Sequence, residues 1–248
     1  MSSLNASIIK MISVCMATYN GSRYIKRQLL SILCQLGGSD EIILVDDCSS
    51  DATLEVVERL GDSRIKIYRN GSNEGVLRTF ERAIRLASGD IIFLSDQDDI
   101  WYPEKVGKFL QVFNGQPDVT LVLSDAKVIN DRDEVIAKSF FEARGGFSPG
   151  IWHNIARNKY LGCAMAFRRS MVDKFLPFPK DIPMHDMWIG CINSIYGKPS
   201  FLDMPLMGYR RHQHNASPAK QRSFAQILVW RWQLAKNLLL RVIMKRRG

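Results

Sequence analysis

A chain of 248 residues with 46% apolar and 24% charged side chains can fill one good-sized domain and is composed like an ordinary globular protein. No internal repeat or low-complexity linker interrupts it, and no run of about 18 apolar residues predicts a membrane span. The net charge of +9 is local: Met204 to Gly248 holds ten Lys or Arg and no Asp or Glu, so the body is near neutral and its tail calls for an anionic partner.

The first half alternates β-rich runs with helical patterns. MISVCM (11–16) predicts a strand and SRYIKRQLLSILCQL (22–36) an amphipathic helix. A strand ending in acid, EIILVDD (41–47), precedes a helix over about 52–60, for which Asp51 is the expected N-cap. RIKIYRN (64–70) alternates as a strand, and a helix follows over about 75–87, stopped at Gly89. DIIFLSD (90–96) has the unbroken apolar run of a strand buried on both faces, and Pro103 opens the next helix. The second half is less regular. Strand-like VTLVLSDAKVI (119–129) leads into a polar loop region (131–150). A buried strand, CAMAFRR (163–169), a helix over 184–197 and an extended segment over 201–215 follow. Strand–helix–strand repetition predicts an α/β fold with a single doubly wound, mostly parallel sheet flanked by helices.

Five cysteines (15, 34, 48, 163, 191) show no CxxC or Cys/His metal spacing and read as reduced, mostly buried thiols. The N-terminal residues lack a signal-peptide pattern, which fits a cytoplasmic protein.

In doubly wound sheets ligands bind beyond the carboxyl ends of the strands. Those ends read ATYN (17–20), DDCSSD (46–51), NGSNEG (70–75) and SDQDD (95–99), all small, polar or acidic. None is a dinucleotide fingerprint or a P-loop. Asp96, Asp98 and Asp99 place three carboxylates in four positions. Like charges this close repel unless they fan into water or hold a cation. Such an edge suits a metal-bridged diphosphate or a nucleoside. A phosphatase D-x-D-x-T motif fails, because Ile100 stands at the Thr position.

The ordered set SVCMATYNGSRYIKRQLLSIL, EIILVDDCSSDAT, NEGVLRTFERAIRLASGDIIFLSDQDDIWYPEK, LGCAMAFRRS, HDMWIG and YRRHQHN covers roughly residues 11–215. It resembles family 2 glycosyltransferases of the GT-A fold. The DQDDIW and YRRH variants most resemble bacterial rhamnosyltransferase-type enzymes of surface polysaccharide and lipopolysaccharide biosynthesis. The resemblance implies an inverting transferase that moves a sugar from a dTDP- or UDP-sugar, dTDP-rhamnose among them, to a hydroxyl of a lipid-linked glycan. It implies a catalytic domain over 1–218, with a nucleotide-binding half over about 1–115 and an acceptor half over about 116–218. A tail spans 219–248.

By match to the family pattern, Asp96-Gln97-Asp98 is the D-x-D motif, with Asp98 on a Mg2+ or Mn2+ ion, Asp96 facing the ribose and Asp99 in support. Oxygen ligands suit such hard ions better than zinc. Ala17 and Tyr19 line the base. Asp47 accepts from its imide N–H, which suits uracil or thymine because an ionised carboxylate only accepts. Arg78 lies near the pyrophosphate. Asp186 occupies the position of the base that takes the acceptor's proton. His185, about 100° away on the same helix, is its rival and, like Trp188, a candidate acceptor contact. Arg210 and His212, with Arg211 and His214, form a basic flap over the diphosphate. Plain alternatives stand beside these roles: a strand-end turn for 95–99, a loop cap for Asp47, a solvated helix face for Arg78, core packing for Trp188 and an exposed basic loop for 209–215.

From Arg222 the pattern is helical. At about 100° per residue, Phe224, Ile227, Leu228, Ala235, Leu238, Leu239 and Val242 share an arc opposite Gln226, Gln233, Lys236 and Asn237. Trp230 and Trp232 flank the arc, and Arg231 inside it must snorkel. A basic, Trp-containing amphipathic helix over 222–247 is expected on an anionic membrane surface, which places the protein peripherally on the inner face of the membrane. Packing on its own domain, or in a homo-oligomer, is the alternative. No nucleic-acid module appears. The rival to an enzyme is a membrane-docked binding protein on a degenerate transferase fold. That reading needs decayed carboxylates, yet Asp47, Asp96, Asp98 and Asp186 are present.

Overall fold

The computed structural model of the chain describes residues 9–147, 150–156, 158–212 and 223–246. Strands β1 (Ile12–Thr18), β2 (Glu41–Asp46), β3 (Ile65–Arg69) and β4 (Ile91–Ser95) alternate with helices α1 (Ile25–Leu33), α2 (Thr53–Glu58) and α3 (Val76–Leu86). Each lies within three residues of its expected bounds. β1 is paired in parallel with β2 on one side and β4 on the other, and β3 continues beyond β2. α3 covers β1 and β2, burying Phe80, Ala83 and Ile84, while α1 buries Ile25, Leu29, Ile32 and Leu33. Each such large side chain contributes about 1.5–3 kcal/mol of apolar burial. Ala52, not the expected Asp51, is the N-cap of α2; Asp51 stands one residue ahead, where its Oδ1 accepts the N–H of Thr53 at 3.0 Å.

The second half extends the same sheet. After β5 (Ile100–Trp101) and α4 (Lys105–Gly115) come β6 (Leu121–Ile129), β7 (Val135–Ala137), α5 (Ile151–Ala156), β8 (Met165–Arg168) and α6 (Val172–Phe175). α7 (His185–Tyr196), β9 (Pro199–Arg210) and α8 (Phe224–Arg246) complete the chain. The described residues form a nine-stranded sheet ordered β3-β2-β1-β4-β8-β6-β9-β5, with β7 on β6. β8 runs antiparallel between β4 and β6, and β6 and β9 are parallel. β7 lies inside the expected loop; three residues with Val135 and Ile136 exposed are too short to leave a period in the sequence.

From β1 the chain winds through β2 and β3 on one side, then crosses to β4 on the other. The order therefore reverses between β1 and β4, and the crevice at the carboxyl ends there is where open α/β sheets take ligands. α8 packs on α5 and α7. Leu234 and Leu238 are buried, Asn237 Nδ2 donates to Asp181 Oδ1 at 2.9 Å, and Arg241 donates to the Leu176 carbonyl at 2.9 Å. Leu238, expected on the lipid-facing arc, thus faces protein. Among the described residues no helix is long and apolar enough to cross a membrane.

Candidate active site

A cavity of about 390 Å³ opens at the β1/β4 crevice, lined by Ala17, Tyr19, Asp47, Asp96, Asp98, His185 and Asp186 among others. These seven are among the residues singled out by the resemblance, and the structure brings them together. The sequence reading missed the residue that builds the floor. Gln97 Oε1 accepts from Thr18 Oγ1 at 2.6 Å and from the Tyr19 N–H at 2.9 Å, and Gln97 Nε2 donates to the Tyr19 carbonyl at 3.0 Å. The middle residue of Asp-Gln-Asp therefore ties the end of β1 to the loop after β4. Gly21 makes room for it, since a Cβ there would sit 2.1 Å from Gln97 Oε1. The sequence signal was available in Gly21 and a central Gln, but only long-range pairing gives it meaning.

The two carboxylates at the end of β2 divide their work. Asp46 is buried and accepts from the Ser49 N–H at 2.9 Å. Asp47 reaches the cavity but is already engaged: Oδ1 accepts from Asn70 Nδ2 and the Glu74 N–H, and Oδ2 from the Gly75 N–H, each at 2.8 Å. A carboxylate offers about four acceptor sites, so one remains for a ligand. Gly75 starts α3 with φ of 83°, a left-handed value that favours glycine.

Across the cavity the acidic loop is packed from below. Asp99 is 1% exposed; Oδ1 accepts the Arg210 N–H at 2.9 Å, while Oδ2 has no hydrogen-bond partner among the described residues. Burial, and then the charges of Asp98 and Asp96, hold its carboxyl well above the usual range. Burial, followed by the charges of Asp98 and Asp186, pushes half-buried Asp96 up to about 7. Ligand atoms of Asp96, Asp99 and Cys163 lie within 4.8 Å of one another. That cluster is a poor cage for a hard cation: it offers a thiol, and burial holds the thiol well above its usual pKa. Its charge is met instead by fully buried Lys105, whose Nζ donates to the Cys163 carbonyl at 2.7 Å and lies 4.2 Å from the Trp101 ring centroid. Asp98 differs. Its Oδ2 meets His212 Nε2 at 2.6 Å, an oxygen and an imidazole nitrogen converging, although His212 itself, expected over the diphosphate, does not line the cavity.

The opposite wall is the start of α7. Asp186 accepts the Met187 N–H at 2.6 Å and lies 3.4 Å from Asn158 Nδ2. Burial, only partly offset by these bonds, raises its carboxyl to about 6. His185 stacks on Phe80 at 4.3 Å between centroids, and burial lowers its imidazole to about 4. Both His185 ring nitrogens lack a hydrogen-bond partner among the described residues. A neutral imidazole with so low a pKa is a weak base at neutral pH, whereas a carboxylate near 6 is well matched.

Three expected residues are placed elsewhere. Trp188 is fully buried, its Nε1 donating to the Phe175 carbonyl at 2.8 Å, because α7 turns that face into the core. Arg78 pairs with Glu81 at 2.8 Å along α3 and does not line the cavity. Arg210 is 1% exposed: its Nε donates to the Asp98 carbonyl and its Nη1 to the Asn130 carbonyl, each at 2.6 Å, and its Nη2 pairs with Asp133. It holds the acidic loop in shape from behind. Arg210→Met orphans two carbonyls at about 1–3 kcal/mol each, so the expected loss of stability is on the order of 3 kcal/mol. A urea midpoint equal to wild type, with weaker nucleotide binding, would instead mark Arg210 as a diphosphate contact. His214 lies outside the described residues.

A larger cleft of about 650 Å³ sits elsewhere, beside Asp90 at the start of β4. Two of its three arginines, Arg168 and Arg169, are spent on backbone carbonyls of Val119, Phe113 and Ala87.

A family model described as Glycosyl transferase family 2 matches residues 13–176. The chain is 30% identical over 217 residues to the dTDP-rhamnosyl transferase RfbG of Shigella flexneri, covering 81% of this chain and 72% of that one. Over 170 residues it is 27% identical to an Escherichia coli enzyme, UDP-Glc:alpha-D-GlcNAc-diphosphoundecaprenol beta-1,3-glucosyltransferase WfgD, covering 68% and 64%. The mannosyltransferase PcManGT of Pyrobaculum calidifontis, solved with GDP-Man and Mn2+, shares the fold at TM-score 0.65 and 19% identity, covering 94% of this chain and 66% of that one. Against other curated relatives the chain spans two thirds of their length or less, 66% in one and 39% in another. With the α/β sheet, the crevice and the matched residues in agreement, the chain belongs to glycosyltransferase family 2.

Proposed function

We propose that the protein is an inverting, metal-dependent glycosyltransferase of cell-surface polysaccharide biosynthesis. It would take a dTDP- or UDP-sugar as donor and a hydroxyl of a lipid-linked glycan as acceptor, working at the inner face of a membrane. The observation that carries this reading is the single cavity that gathers Tyr19, Asp47, Asp96, Asp98 and Asp186 at the β1/β4 crevice. Tyr19, half exposed at the rim, offers its ring to the base, with Ala17 beside it. The one open acceptor site of Asp47 suits the imide N–H shared by uracil and thymine. RfbG and WfgD, named for dTDP- and UDP-linked donors, support that choice, and the name of WfgD supports a lipid-linked acceptor.

A divalent cation fits Asp98 and His212, whose ligand atoms converge, with Asp96 left for the ribose. An imidazole beside a carboxylate favours Mn2+ over the harder Mg2+. When bound, the ion supplies Lewis-acid stabilisation of the departing diphosphate. Asp186 takes the proton of the acceptor hydroxyl as its oxygen attacks the anomeric carbon, and the nucleoside diphosphate leaves from the opposite face. His185, neutral and unpartnered, supports a contact with an acceptor hydroxyl, because a buried orphan polar group costs about 1–3 kcal/mol until a ligand satisfies it.

Calorimetry with UDP and dTDP, with and without Mn2+, tests the reading, followed by a panel of sugar nucleotides scored for donor hydrolysis. Tight, Mn2+-dependent binding of a pyrimidine nucleotide is expected. Absence of any metal-dependent nucleotide binding would favour the non-catalytic binding protein on a transferase fold.

A further inference from the structure

We propose that one face of α8, formed by Leu228, Val229, Trp232, Leu239, Leu240 and Ile243, is a contact surface for anionic lipid, presented by a helix whose other face packs on the domain. This deepens the membrane part of the reading above and rests on it only for where the protein works.

At about 100° per residue these six side chains fall within an arc of about 120°. All are exposed, Trp232 to 65% and Leu239 to 62%. The opposite side of the helix is the docked one. Leu234 and Leu238 are buried there, Asn237 donates to Asp181, and Arg241 donates to the carbonyls of Lys174, Leu176 and Pro177. α8 therefore shows two apolar faces, one satisfied by its own domain and one open. An open stripe this long on a soluble surface marks an interaction site.

Charge selects the occupant. α8 carries five Lys or Arg and no Asp or Glu along its length, within a tail that has no acid at all after Asp203. Lys236 lies inside the exposed arc, its ammonium 5.6 Å from the Trp232 ring centroid, so the stripe combines an aromatic belt residue with a long cation that can reach the headgroups. A second copy of this helix would bring like charges together. A lipid surface with anionic headgroups accepts both the apolar stripe and the cations.

The test uses the full chain, sedimented with vesicles of phosphatidylcholine alone or with phosphatidylglycerol. Wild type is expected to bind the anionic vesicles, and Trp232→Glu/Leu239→Glu to lower the bound fraction roughly tenfold or more. Thermal unfolding and donor hydrolysis should match wild type, because both side chains point away from the domain. This separates failure of the lipid surface from failure of the transferase reading. Wild type that ignores anionic vesicles, or a variant that binds them equally, overturns the proposal. A wild-type dimer in ultracentrifugation that the double variant converts to monomer also overturns it, and assigns the stripe to an interface between copies.

Discussion

Asp186→Asn is expected to lower transfer by roughly 10²–10⁴-fold, the range that a positioned general base contributes, while nucleotide affinity stays within about twofold of wild type. The split follows from geometry. Asp186 stands at the start of α7, so losing its charge removes a proton acceptor while leaving the residues proposed to hold the donor in place; it also lifts one of the charges that raise Asp96, which favours the ionised form of that carboxyl. Asn keeps an oxygen for the Met187 N–H, and the local fold should survive. Steady-state transfer and calorimetry on the same preparation check this. A variant that still turns over would overturn the assignment of the base. His185→Gln offers the contrast: its imidazole, held near 4, is too weak a base to replace Asp186, and its loss should raise KM for acceptor more than it lowers kcat.

The same carboxyl predicts two pH effects of opposite benefit. The base works only when deprotonated, so turnover should be full above about pH 6 and fall about tenfold per unit below it. For folding the sign reverses. A carboxyl at 3.8 unfolded and about 6 folded binds more protons in the native state between those values, so stability falls as pH rises through that window. Above about 6 the penalty is fully present, on the order of 2–3 kcal/mol. Asp186→Asn removes it, so the inactive variant should melt higher than wild type at pH 7.5 and match it near pH 4. Such an exchange of stability for activity is common where a buried group must stay charged to function.

Why the first half was legible and the second less so has a physical cause. β1, β2 and β4 are parallel and buried, and each leaves a largely apolar run capped by small or acidic residues, while the more exposed β3 leaves an alternation; ATYN, DDCSSD and SDQDD thereby mark the ligand edge in the sequence itself. The partners of β8 and β9 are set by long-range pairing, which has no period. The site split in the same way. Asp47, Asp96, Asp98 and Asp186 could be named from the resemblance to the family's motifs. That Asp47 arrives with three donors already attached, or that Arg210 faces inward to Asp98, Asn130 and Asp133, depends on segments far apart in sequence. Basic residues in YRRH look alike in one dimension. The structure divides them, burying Arg210 and leaving His212 at Asp98. In α8 the sequence gives the right helix, but only packing on α5 and α7 tells which of its apolar residues face the domain.

The second large effect is expected at Asp98. Asp98→Asn should abolish the Mn2+ dependence of nucleotide binding and lower transfer by roughly three orders of magnitude. Lewis-acid stabilisation of a leaving group is worth several kcal/mol, and each 1.36 kcal/mol is tenfold in rate. The choice of Asp98 over its neighbours rests on what each carboxylate already does. Asp99 Oδ1 is taken by the Arg210 N–H, and its carboxylate clusters with the Cys163 thiol, whose backbone carbonyl accepts from buried Lys105. Asp96 is held near 7 by burial and by two neighbouring charges. Asp98 lines the cavity and its Oδ2 meets the His212 imidazole. His212→Ala should therefore weaken Mn2+ binding as well, by less than Asp98→Asn, because the ion keeps its anionic ligand. If the Asp98–His212 pair were only a latch that closes the loop, both variants would bind UDP with the metal dependence of wild type. Titration of Mn2+ by electron paramagnetic resonance, on protein with and without UDP, separates the two without requiring turnover.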